Sequence, residues 1–204
     1  MNQLTVGNII SNAFQLGLKN LPSLIGAIIL WILTIWIPYL NVGTTIALIG
    51  LVVAISKGNV ISPTEIFAAK YRRNMGEFFL LMAFLYLGVL AGYVFVIIPG
   101  IVISIAWGQA IYLLIDRNIS PTEALVVSNK ITYGKKWTIF FGYLILAVVI
   151  LIAIFILFKI FSFISEGLAG VVAVVAYLVF AVILVGANAY IYGELSKELD
   201  QTAA

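Results

Sequence analysis

Four stretches of this chain carry no charged side chain at all: between Lys19 and Lys57, between Glu77 and Asp116, between Lys136 and Lys159, and between Glu166 and Glu194. A helix rises 1.5 Å per residue, so about 20 apolar residues cross a hydrocarbon core roughly 30 Å thick. The first two stretches are long enough to cross and return, and each has a turn signal inside it, Pro38 to Gly43 in one and Pro99-Gly100 in the other. The pattern therefore predicts six transmembrane helices, at 21–37, 44–56, 78–98, 101–115, 137–158 and 168–192. Only helices or closed barrels satisfy their backbone in lipid, and unbroken apolar runs of this length select helices. Composition agrees: 9% of residues are charged, against about 25% in soluble proteins. The spans 44–56 and 101–115 are short, which predicts flanking residues drawn into the bilayer or local thinning. A rival count folds each short span with its partner into a re-entrant hairpin, but this moves charges to the wrong side.

Polar and amphipathic segments separate the spans. In 5–19, Val6, Ile9, Ile10, Ala13, Phe14 and Gly17 share one side at helical spacing, opposite Asn8, Asn12 and Gln15, which predicts a helix lying in the membrane interface. The string Ile-Ser-Pro-Thr-Glu occurs twice, at 61–65 and 119–123. Each copy reads as a helix start, with a serine N-cap (Ser62, Ser120), proline at the first helical position and a capping-box glutamate (Glu65, Glu123). The second amphipathic helix would turn Ile66, Phe67 and Tyr71 to lipid or protein and Lys70, Arg72, Arg73 and Asn74 to water or headgroups. The third runs from Pro121 to about Tyr133.

These matches extend to a repeat. Thr5, Thr64 and Thr122 precede Gly17, Gly76 and Gly134 at matching intervals; Gly50, Gly108 and Gly186 align on the even-numbered spans, as do Tyr112 with Tyr190 and Asp116 with Glu194. The expectation is an all-α polytopic membrane protein, one domain over 1–204, made of three pseudo-repeats of a cytoplasmic amphipathic helix plus a transmembrane hairpin. The copies cover roughly 4–60, 61–118 and 119–199, with a tail at 200–204, and the polar stretch from Glu194 is expected to fray. Lysine and arginine fall on the side of the amphipathic helices, Lys159 excepted, so the positive-inside rule puts both termini in the cytoplasm and the protein in the cytoplasmic membrane. Lys70, Arg72, Arg73, Lys130, Lys135 and Lys136 are the candidate headgroup contacts. The first apolar run begins near Leu21 with no small-x-small cleavage site after it, which predicts an uncleaved anchor.

Chemistry is constrained by what the chain lacks. It contains no cysteine and no histidine, which removes thiolate nucleophiles and the commonest metal ligands. No carboxylate falls mid-span, which weighs against proton or ion coupling. Neither catalytic residues, metal nor cofactor is expected, and the basic residues are too few for nucleic acid. Gln109 and Asn188 each follow a matched glycine; they are expected to meet near the pseudo-axis, as interhelical hydrogen-bonding groups or as a polar lining for a headgroup or small amphiphile. Gly88 and Gly92 form a small-xxx-small pair suited to close packing within the chain or to a dimer seam.

The stretch from Ile97 to Trp137 joins Pro99-Gly100, Asp116, Pro121 with Glu123-Ala124, Ser128, and Thr132-x-Gly134 before Lys136-Trp137. It resembles the glycerophosphoryl diester phosphodiesterase membrane-domain superfamily and related uncharacterised bacterial integral-membrane families. The resemblance implies a six-span membrane module without the phosphodiesterase domain. The expected function is non-enzymatic: a lipid-interacting or partner-organising module of the cell envelope, with membrane lipids, another membrane protein or a second copy as partner. The alternative is a transporter or flippase-like protein, or an immunity protein, handling a lipid-linked or amphiphilic molecule; an intramembrane enzyme ranks last.

Overall fold

The computed structural model describes residues 4–59 and 61–203, with side chains described to 201. Residue 60, which closes the first expected copy, and residue 204, the end of the tail, lie outside them. The helices are α1 Val6–Lys19, α2 Leu21–Thr34, α3 Pro38–Ser56, α4 Met75–Phe95, α5 Ile97–Trp107, α6 Ala110–Arg117, α7 Pro121–Ile131, α8 Lys136–Ser162 and α9 Glu166–Ala203. Among the described residues all regular structure is helical. Five helical stretches are long and apolar enough to cross a membrane, and a sixth is reached if α1 and α2, bent by 73°, are one broken span.

The span ends differ from expectation in ways that follow from proline. Pro38 opens α3 and does not interrupt it, because its missing N–H falls among the unpaired donors of a first turn. Helix α3 is thus 19 residues long. Pro99-Gly100 likewise sits in the first turn of α5; the chain breaks earlier, at Val96, which is extended. The stretch Ile97–Arg117 is 21 residues long, so neither even-numbered span is short. The helix at the expected first span is the one that falls short, with α2 at 14 residues.

Helix α3 is the axis of the molecule. Half of its apolar window is buried, against 17% in α4, α8 and α9, whose outer faces expose residues such as Leu87, Val94, Ile152, Phe155 and Val174. Apolar surface of this extent suits a lipid solvent.

Each polar connector packs on an even-numbered span: α1 on α9, the segment 61–74 on α2 and α3, and α7 on α5 and α6. Helix α1 runs antiparallel to α9. A methyl on Gly17 would lie 2.8 Å from the Val182 carbonyl oxygen, and one on Gly186 would overlap the backbone of Ala13 and Gly17. The apolar side of the helix expected to lie in the membrane interface is therefore packed against protein, with Ile9 and Ala13 fully enclosed. Close backbone approach needs such small residues, since lipid offers helices no hydrophobic drive to associate.

The segment after Ile61 is not an amphipathic α-helix. It forms two 3₁₀ turns, Pro63–Phe67 and Ala69–Arg72, divided by an extended Ala68. Pro63 lies against Gly26, and the Tyr71 ring occupies the space where Gly50 would carry a side chain. Those contacts with α2 and α3 override the helix signal that the same five residues obey in α7. The polar stretch from Glu194 is helical as far as the described residues go: α9 continues to Ala203, Leu195 is fully buried, and Lys135–Glu198 and Arg117–Asp200 ion pairs hold this stretch to the bundle. Gly88 and Gly92 act within the chain, under the Trp107 ring and against Gly100.

Candidate functional site

Two polar arrangements stand out in this apolar molecule. One closes a helix break; the other forms a basin. The break lies between α5 and α6, at Gly108-Gln109, where the helical ladder is interrupted. Helix α7 repairs it. The Ser128 hydroxyl donates to the Ala106 carbonyl at 2.6 Å and accepts from the Gln109 N–H at 3.2 Å, and the Thr132 hydroxyl lies 3.4 Å from the same carbonyl. All three side chains are buried. This satisfies backbone groups that lipid could not. The Gln109 amide oxygen is buried with no hydrogen-bond partner among the described residues. Asn188, by contrast, accepts from the Tyr143 hydroxyl and donates to the Leu184 carbonyl, each at 2.8 Å. The two amides expected to meet share no hydrogen bond among the described residues: α7 occupies the one site and α8 the other.

The basin opens where the ends of α3 and α6 meet the 3₁₀ segment. Its volume is about 690 Å³, within the range of small-molecule sites. Ile46, Gly50, Val53 and Ala54 of α3 form an apolar floor, joined by Leu114 and Ile115. Lys57, Lys70 and Arg73 stand around it with Glu65 and Asp116, and Asn59, Asn74 and Asn118 complete the polar rim. The glycine at position 50 allows the Tyr71 ring to lie against α3, and Arg73 and Asn74 stand at the edge beyond it.

Asp116 organises this end of the molecule. Its side chain is only 3% exposed, which demands full compensation of its charge. One carboxylate oxygen pairs with the Lys57 amine; the other accepts from the Tyr192 hydroxyl at 2.6 Å and lies 3.5 Å from the Arg117 guanidinium. Arg117 in turn reaches Asp200 at 2.7 Å. The ends of α3, α6 and α9 are thereby tied together. Asn118, at positive φ (52°), caps α6 and hydrogen-bonds Asn74 at the start of α4.

The candidate headgroup residues divide. Lys70 and Arg73 line the basin. Lys70 hydrogen-bonds Glu65 at 2.6 Å, and that bond holds its ammonium above the ordinary lysine value against a smaller opposing effect of burial. Burial raises the neighbouring Tyr71 phenol above its ordinary value, so both groups keep their protonated forms well above neutrality. Arg72 turns away, its guanidinium on the Phe67 carbonyl at 3.0 Å and its stem against Gly43. Lys130 is exposed on α7, Lys135 pairs with Glu198, and Lys136 donates to Asn129 at 2.8 Å.

The cap residues divide too. Ser120 accepts from the Glu123 N–H at 3.3 Å, so α7 has its N-cap; the returning bond from the Glu123 side chain is not made among the described residues. Ser62 stands at the N-cap of the first 3₁₀ turn, but among the described residues its hydroxyl makes no capping bond and meets Thr64 at 2.9 Å instead, while Glu65 accepts from Lys70 and Tyr71. Sequence reasoning passed over Lys57 as a span end. Its signal was its place beside the polar connector, but its partner is 59 positions away.

No family model, characterised protein or solved structure matches the chain.

Proposed function

We propose that this chain is a non-enzymatic module of the cytoplasmic membrane that binds lipid and organises the bilayer or a membrane partner around it. The observation that carries the reading is the basin: an apolar floor continuous with a cation-bearing rim, on a molecule whose other faces are largely aliphatic. An amphiphile needs both surfaces at once. Support for three pseudo-repeats comes from the cyclic packing, in which each connector seats on the even-numbered span of the preceding copy and α1 closes the ring on α9. Lys57, Arg117 and Lys135 lie at one end of the bundle, the first two in one run of ion pairs through Asp116 and Asp200 and the third paired with Glu198, which fits a cytoplasmic placement for that end. The resemblance to the phosphodiesterase membrane-domain superfamily is retained as a statement of topology. Its Ser128 and Thr132 have a structural use here in closing the α5–α6 break.

The test is lipid retention. Protein extracted from membranes of mixed lipid composition and analysed by native mass spectrometry is expected to carry anionic lipid above its share of the bulk. Retained lipid that mirrors the bulk composition would remove the reading.

A further inference from the structure

We infer that the basin receives a phosphate-bearing lipid headgroup on Lys57, Lys70 and Arg73, and that Asp116 is the resident counter-charge which Lys57 leaves when the lipid arrives. The inference deepens the lipid-binding reading and rests on it.

Charge is the first argument. Three cations and two carboxylates line the basin, leaving an excess of one positive charge, and both carboxylates already occupy a lysine. Arg73 is exposed and, among the described residues, makes no ion pair or side-chain hydrogen bond. A guanidinium is the planar donor best matched to a phosphate, and lysines serve as point charges beside it. The amides of Asn59, Asn74 and Asn118 supply further neutral donors on the rim.

Shape is the second argument. The floor is apolar and belongs to α3, a helix long enough to cross a membrane. A soluble phosphate ester would leave that floor wet, whereas the glycerol and first methylenes of a lipid would cover it.

The third argument is that the exchange is physically feasible. Asp116 is almost wholly enclosed, but the Lys57 side chain is 53% exposed. When the lysine swings to an incoming phosphate, Asp116 keeps the Tyr192 hydroxyl and the Arg117 guanidinium, so no buried charge is left bare. Occupancy then loosens the tie between α3 and α6 while the one between α6 and α9 persists.

The experiment uses the full chain in nanodiscs of phosphatidylcholine with a minor fraction of phosphatidic acid, with bound lipid counted by native mass spectrometry. Wild type is expected to enrich phosphatidic acid, K57Q and R73Q each to lose about tenfold in that preference, the effect of deleting one charge-assisted bond, and K159Q at the far end to lose none. D116N is expected to raise the preference by freeing Lys57. Glycerol 3-phosphate added in solution is expected not to displace the lipid; full displacement would mean that the floor is unused and would overturn the assignment to a lipid. If wild type enriches phosphatidic acid and the K57Q/R73Q double variant enriches it equally, the basin is not the site, although the protein still binds lipid. If wild type enriches no lipid, both readings fall.

Discussion

The backbone groups freed at Gly108-Gln109 depend on Ser128, a residue on another helix. Leaving a buried carbonyl or N–H unpaired costs about 1–3 kcal/mol. Ser128→Ala is therefore expected to destabilise the protein by that amount, seen as a lower Tm in detergent; an unchanged Tm would mean that the break is tolerated without its cap. Glycines supply a second contrast. A methyl on Gly186 has no room against the backbone of α1, whereas one on Gly76 meets nothing within 4 Å. Gly186→Ala should cost about 1–3 kcal/mol through overpacking, and Gly76→Ala should be neutral or slightly stabilising. Equal melting temperatures for the two variants would contradict the close approach of α1 and α9. At this scale little was readable in advance. Gly186 stood out in the sequence only as a repeat position, and nothing in its neighbours announces that Ala13 and Gly17 will lie against it.

The two copies of Ile-Ser-Pro-Thr-Glu show where pattern reading of elements succeeds and where it stops. After Ser120 an α-helix forms and is capped; after Ser62 the chain makes two 3₁₀ turns. Ser120→Ala should cost about 0.5–2 kcal/mol, as loss of an N-cap does. Ser62→Ala should change stability by no more than a few tenths. Paired denaturation curves check this, and a Ser62 effect as large as that of Ser120 would indicate a helix at both places. The spans were legible because charge-free runs in lipid admit only helices. Their ends were not, because proline is compatible with a helix's first turn and a turn signal there is equally a start signal. The basin was legible only in part. Lys70 and Arg73 were picked out by charge, but Lys57 with Asp116 joins positions far apart in the chain, and no local rule encodes that pairing.

At the scale of the whole molecule, the arrangement stands or falls on whether the connectors share one side of the bilayer. The ion pairs and the Asn74–Asn118 contact bring the ends of α3, α4, α6 and α8 to the C-terminal part of α9. The loop between α8 and α9 lies at the other end of two long helices. The chain contains no cysteine, so single introduced thiols report without background. Arg73, Lys130 and Ser165 are exposed, and replacing each with cysteine leaves every ion pair described above intact. With a membrane-impermeant maleimide, Arg73→Cys and Lys130→Cys are expected to label in inverted vesicles and resist label in intact cells, and Ser165→Cys to do the reverse. Labelling of the first two from opposite faces would break the cyclic packing, because the second and third connectors could not then both seat on the ends of α3 and α6. Labelling of both from outside the cell would preserve the fold and invert its orientation, placing the basin on the outer leaflet and changing which lipids can reach Lys57.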